Sequence, residues 1–145
     1  MFRLYSKGCE YAIRALLQMG PARGRAKFAA TDVCRRAGIP ESFTRKIFQA
    51  LVRGGFLSAV TGPGGGYALR RPPGQITLRR VIEAVDGEGA FRQCVLGLPV
   101  CGERRACPLH ATWLKAKRPL LRQLDTTTLQ DLLDTVTAHE RGRQP

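Results

Sequence analysis

The chain has 145 residues and a mass of 16.0 kDa, enough for one small domain with an appendage and too little for a multidomain enzyme. Apolar residues make up 43% and charged residues 24%, which excludes disordered, collagenous and low-complexity classes. A net charge of +13 and a pI near 10.6 point to a polyanionic partner, nucleic acid first.

The charge is uneven. Residues 1–80 carry a net +12 and residues 81–145 a net +1, so the first half supplies the basic surface. No apolar run reaches the ~18 residues of a spanning helix, and Arg14 interrupts the N-terminal stretch that imitates a signal peptide. A soluble, cytoplasmic protein with no membrane partner is expected. The five cysteines are odd in number and lack an export signal, which argues against a disulfide framework.

In chain order, residues 6–20 carry Ala12, Leu16 and Met19 on one side and Ile13 and Leu17 on another, the pattern of a helix buried on most faces and ended by Gly20-Pro21. A basic connection with Arg23, Arg25 and Lys27 follows, then a short helix from Thr31 to Ala37 closed by Gly38. After the Ile39-Pro40 turn, the spacing predicts a helix over 41–53 with Phe43, Ile47, Ala50 and Leu51 facing a core. On its other side Ser42, Arg45, Lys46, Gln49 and Arg53 align as one face of cations and hydrogen-bonding groups. Two helices joined this way, the second with such a face, form the pattern of a helix-turn-helix.

Gly55–Val60 and Tyr67–Arg70 read as two strands around the glycine-rich tip Thr61–Gly66, a hairpin wing. The tip is not a P-loop, because Tyr67-Ala68 stands where Lys-Ser/Thr is required. Nor is it a dinucleotide fingerprint, because it lies between strands. It is a plain turn, or a tip whose small residues let backbone N–H groups approach a phosphate backbone.

Thr77 then caps a helix bearing Leu78, Val81, Ile82 and Val85, closed by Gly87. Residues 87–107 lack periodicity and read as a loop. A helix from Pro108, kinked at Pro119, places Trp113, Leu120 and Leu124 on one side with Leu114 and Leu121 beside them, an apolar surface too exposed for a monomer. The last helix opens on a capping box of Thr128 and Asp131, and Arg141–Pro145 is a fraying tail.

The loop holds Cys94, Cys101 and Cys107, with His110 three positions after the last, at intervals of six, five and two intervening residues. Thiols and an imidazole are ligands for zinc or an iron–sulfur cluster. Zinc sites commonly use close cysteine pairs, which are missing here, whereas wide spacing on a loop suits a larger inorganic core. Three unligated thiols are the plain alternative. Cys9 and Cys34 stand alone on helices and read as small buried hydrophobes.

The segments Glu10-Tyr11-Ala12-Ile13-Arg14-Ala15-Leu16 and Gly62-Pro63-Gly64-Gly65-Gly66-Tyr67, together with Cys94, Cys101 and Cys107-Pro108-Leu109-His110, resemble those of the bacterial Rrf2 regulators of iron–sulfur type. The resemblance covers nearly the whole chain. It implies a mainly α-helical, winged helix-turn-helix transcription factor with a small β-hairpin wing, dimeric through a long C-terminal helix. It further implies a 2Fe-2S or 4Fe-4S cluster that alters affinity for double-stranded DNA.

Carried over by position, the recognition helix runs from Ser42 to Arg53, with Ser42, Thr44, Arg45, Lys46, Gln49 and Arg53 as DNA-binding candidates and Arg45 foremost. Thr61, Gly62 and Gly64 are the wing candidates. Many family members have Arg where this chain has Thr61, which points to phosphate contact by the wing in place of arginine insertion into the minor groove. Cys94, Cys101 and Cys107 are the implied metal ligands. Two residues compete for the fourth position: His110, through the Cys-x-x-His ending, and Glu10, where some members supply a carboxylate from the partner subunit.

The expected organisation is a DNA-binding domain over 1–86, a cysteine-rich cluster-binding loop over 87–107, and a dimerisation helix with a C-terminal helix over 108–145. The function read from these features is transcriptional regulation by a homodimer whose cluster controls operator affinity. A zinc-binding or cluster-free regulator is the alternative. An iron–sulfur redox or carrier protein would not need the basic recognition face. No nucleophile, base and orienter of an enzyme can be assembled, since His110 and His139 fit no catalytic pattern.

Overall fold

The computed structural model describes residues 4–21, 27–92, 94–97 and 107–142. Helix α1 spans Lys7–Met19 and starts where Ser6 accepts the Cys9 N–H at 3.1 Å. The Ser6 N–H in turn donates to Asp86 Oδ2 at 2.8 Å, tying the start of α1 to a distant helix end. Cys9, Tyr11, Ala12, Ala15, Leu16 and Met19 are buried, so α1 is the central element that its apolar pattern predicts.

Helices α2 (Ala30–Ala37) and α3 (Glu41–Arg53) form the helix-turn-helix, separated by Gly38 in the left-handed conformation and by Ile39-Pro40. Val33, Cys34, Ile47, Phe48 and Leu51 turn inward from the two helices. Phe43 meets Tyr11 of α1 edge to face, with ring centroids 4.9 Å apart.

Strands β1 (Leu57–Val60) and β2 (Gly66–Leu69) pair antiparallel from Leu57↔Leu69 to Val60↔Gly66. The first strand starts later than the sequence pattern suggests, because Gly55 and Phe56 belong to the turn after α3, where Phe56 is buried. A further pairing was not anticipated. Phe28 bonds across to Tyr67 in both directions, its N–H donating at 2.7 Å and its carbonyl accepting at 2.8 Å. A Cβ at Gly66 would lie 2.7 Å from the Phe28 carbonyl oxygen, so this glycine is needed for the close passage of the 27–29 segment.

Helix α4 (Leu78–Asp86) is capped by Thr77, which accepts the Arg80 N–H at 3.4 Å. The aperiodic segment after Gly87 is not wholly irregular: Ala90–Arg92 forms one helical turn that buries Ala90 and Phe91. Two apolar residues are too few to leave a periodic trace. Helix α5 runs unbroken as His110–Thr126 through Pro119, and α6 follows as Leu129–Gly142. The expected capping box is present, with the Thr128 N–H donating to Asp131 Oδ2 at 2.8 Å and the Asp131 N–H to Thr128 Oγ1 at 3.2 Å. Of the expected fraying tail, Arg141 and Gly142 continue α6, and residues 143–145 lie outside the described residues.

The junction of α5 and α6 is stitched to the start of α4. Leu129 donates its N–H to the Ile76 carbonyl at 2.8 Å, and Leu78 donates to the Thr127 carbonyl at 3.0 Å. Leu129 and Ile76 belong to the main core with Leu16, Phe48, Leu51 and Val81, and α6 returns along α1, where Leu133 packs against Gly20. A second, smaller core gathers Cys9, Ile82, Ala90, Phe91 and Leu124 between α1, α4, the Ala90–Arg92 turn and α5. Among the described residues no helix is long and apolar enough to cross a membrane. Truncating Leu129 to Ala, at 1% exposure, should cost about 2–5 kcal/mol in denaturant unfolding, whereas Val136→Ala on the same helix, at 44% exposure, should stay within about 0.5 kcal/mol of wild type.

Candidate nucleic-acid interface and metal centre

The face of α3 opposite its core stripe is presented to solvent. Ser42, Arg45, Lys46, Gln49 and Arg53 are all exposed, while Ile47, Phe48, Ala50 and Leu51 anchor the helix from behind. Among the described residues no carboxylate pairs with Arg45, Lys46 or Arg53, whereas Arg35 on α2 is bound to Asp32 at 2.9 Å. Thr44 behaves differently from its neighbours. It sits four residues before buried Phe48, is half-buried, and donates its hydroxyl to Cys34 Sγ at 3.2 Å, which locks α3 onto α2.

Phe48 also touches the wing, with its ring centroid 4.7 Å from that of Tyr67. Thr61, Gly62, Pro63 and Gly64 form an exposed tip, and a side chain at Gly62 or Gly64 would meet nothing within 4 Å. At the foot of the wing Arg70 and Arg71 are exposed, as is Lys27 beside the paired Phe28. In the sequence Lys27 counted only as part of a basic connection, and none of the three cations was assigned to DNA. The signal that could have found them is a basic pair directly after the second strand.

The described cysteines divide into two kinds. Cys9 and Cys34 are buried at 0% and 3% exposure, as expected for small core residues. Burial, helped by the nearby Asp86 charge, pushes the Cys9 thiol up to about 12. Cys94 and Cys107 are half-exposed, and Cys101 lies outside the described residues. Cys94 Sγ accepts the Leu96 N–H at 3.4 Å, and the Cys107 carbonyl accepts the His110 N–H at 3.1 Å where α5 begins.

Among the described residues no group of three or more His, Cys, Asp or Glu is gathered tightly enough for a metal ion. The donor types still suit an iron–sulfur centre, because two accessible thiols and an adjacent imidazole are soft and borderline ligands, unlike the oxygen sets chosen by calcium or magnesium. Glu10 is held within its own helix. Its carboxylate pairs with Lys7 Nζ at 2.9 Å and with the Arg14 guanidinium at 2.6 Å, and both cations also lie against the Tyr11 ring.

A helix-turn-helix with an exposed cationic face on its second helix, braced by a hairpin wing and a third pairing segment, defines a winged-helix DNA-binding regulator. The sequence pattern of Rrf2, iron-dependent transcriptional regulators, matches residues 5–135, and the chain belongs to that family. The HTH-type transcriptional regulator IscR of Xenorhabdus nematophila is 34% identical over 131 residues, covering 90% of this chain and 79% of that protein. IscR of Cronobacter sakazakii is 34% identical over 132 residues, covering 91% and 80%. Among solved structures, CymR, the global cysteine regulator of B. subtilis, superposes with a TM-score of 0.73 at 20% identity, covering 93% of this chain and 98% of CymR. An IscR of T. potens gives a TM-score of 0.71 at 21% identity, covering 97% of this chain and 90% of that one. The chain is therefore a transcriptional regulator and not an enzyme.

Thiol chemistry checks the division of the cysteines. In the folded, metal-free protein at pH 8, iodoacetamide should label Cys94 and Cys107 while Cys9 reacts only after denaturation, read by peptide mass spectrometry. Because folding raises the Cys9 pKa, its contribution to stability is complete below about 9 and is lost as pH climbs towards about 12. Alkaline unfolding curves of Cys9→Ala should accordingly be flatter in pH than those of wild type.

Proposed function

We propose that this regulator acts in the cytoplasm as a homodimer on double-stranded DNA, and that its operator affinity is set by an iron–sulfur cluster held by Cys94, Cys101, Cys107 and His110. The observation that carries the reading is the contrast between two sequestered thiols and two presented ones, the latter flanking the connection from the DNA-binding unit to α5. The relatives named IscR support it. A cluster bound there supplies redox chemistry that responds to iron supply, oxygen or nitric oxide. His110 is favoured as the fourth ligand because it opens α5 one turn after Cys107 and so needs no contribution from a second subunit.

The chain's own residues then do the following work. Arg45 presents a guanidinium that matches guanine O6 and N7, and Ser42, Lys46, Gln49 and Arg53 extend the same face along the groove. Thr44 positions the helix through Cys34. Thr61, Gly62 and Gly64, with Arg70 and Arg71 behind them, meet the phosphate backbone. Leu109 and Leu120 are exposed and Leu114 is half-buried on and before α5, while Leu124, expected on the same surface, is buried in the smaller core; the exposed apolar side chains, uncovered by any described residue, suit a second copy.

Anaerobic purification with absorbance, iron and sulfide assays, followed by binding of genomic fragments with and without the cluster, tests the reading. A colourless zinc protein would refute the cluster. Cys94→Ala, Cys101→Ala and Cys107→Ala should each lose iron, and Cys34→Ala should keep it. His110→Ala should change the spectrum and reduction potential; if Glu10→Ala does so instead, the carboxylate is the ligand. On DNA, Arg45→Ala should cost about 1–3 kcal/mol and relax one base preference, whereas Arg71→Ala should weaken all sequences alike and reduce the salt slope by about 0.9.

A further inference from the structure

Arg79, on the first turn of α4, sits where three elements meet. Its Nε donates to Glu83 Oε1 at 3.1 Å on its own helix, its Nη1 donates to Asp125 Oδ2 at 2.9 Å near the end of α5, and its guanidinium carbon lies 5.6 Å from the centroid of the Phe91 ring. The Phe91 backbone is held as well, because Lys117 of α5 donates its ammonium to the Phe91 carbonyl. Phe91 is 7% exposed and shares the smaller core with Cys9, Ile82 and Leu124. Three residues further on stands Cys94.

We propose that Arg79 is a positioning residue that transmits the state of the cysteine segment to the DNA-binding unit. The inference rests on the cluster reading above. Holding or releasing Cys94 loads the backbone at Phe91, whose side chain is clamped by α4 and whose carbonyl is clamped by α5. Helix α4 carries the load to the recognition helix: Val81 lies in the main core with Ile47 and Leu51 of α3, and Ala84 packs against Gly54 at the end of α3. A planar guanidinium holds its donors in a fixed fork while leaving a face for the Phe91 ring, a geometry that a flexible ammonium does not preset, so lysine is a poor substitute here. Partly exposed ion pairs add little to folding, and a purely structural role would leave cluster control of DNA binding untouched.

The experiment compares wild type with Arg79→Gln, Arg79→Lys and Asp125→Asn, each cluster-loaded under anaerobic conditions and cluster-free, on the same selected operator duplex. All four should take up equal iron with the same visible spectrum and bind DNA within twofold of one another when cluster-free. In Arg79→Gln and Asp125→Asn the ratio of loaded to cluster-free Kd should move about three- to fivefold towards one, with a smaller change in Arg79→Lys. Should Arg79→Gln fail to fold, Asp125→Asn, whose side chain is about half exposed, decides the matter. A wild-type ratio in the folded variants, or a changed spectrum, overturns the transmission role. A wild-type protein that carries no cluster, or binds DNA equally in both states, refutes the cluster reading and takes this inference with it.

Discussion

The molecule depends on two backbone hydrogen bonds that join Ile76 to Leu129 and Leu78 to Thr127. They make the junction between the last two helices pair with the strand-like residues that lead into α4. Buried side chains on both sides, Ile76 and Leu129, keep water away from these bonds and make them costly to break. This stitch, with the packing of Leu133 against Gly20, lays α6 along α1. The direction in which α5 leaves the DNA-binding unit is then set at its C-terminal end, by the stitch and by Asp125, while its N-terminal end carries the residues next to Cys107.

The helices were legible because each buries a stripe at helical spacing, and a stripe leaves a periodic trace whether or not the partner element is known. Thr77 and the Thr128–Asp131 pair were legible for a different reason, since caps are short-range chemistry. The pairing of Phe28 with Tyr67 was not, because a one-residue bridge has no alternation and its evidence in the sequence is only Gly66, whose other duties in a turn hide it. The Ala90–Arg92 turn escaped in the same way, as two apolar residues in a segment otherwise without pattern.

For the site, residue types were readable and their partners were not. The cationic face of α3 follows from spacing, yet the inward turn of Thr44 is visible only once Phe48 is known to be buried, because both lie on the same side of the helix. Cys94 and Cys107 were marked by clustering, and Cys9 and Cys34 by isolation. That Glu10 is held by Lys7 and Arg14 was available from intervals of three and four residues, which place both cations over the carboxylate on one turn of α1. The meeting of Arg79 with Asp125 joins residues 46 positions apart and left no local signal.

The placement of the few acids in the basic half has an effect before any bond to DNA is made. Glu10 answers cations on α1, and Asp32 answers Arg35 on α2, whereas no acid answers those on the outer face of α3 among the described residues. Among the described residues, exposed cations not bound to an acid are thus gathered on α3 and at the wing, with Glu41 in the first turn of α3, so the charge of this half is unevenly placed. A duplex approaching through dilute salt exerts a torque on such a body and turns α3 towards itself, so collisions are oriented while the partners are still separated by solvent. Neutralising Glu10 would leave the outer face of α3 intact and still make the approach less directed, because positive charge would spread over the flank of α1.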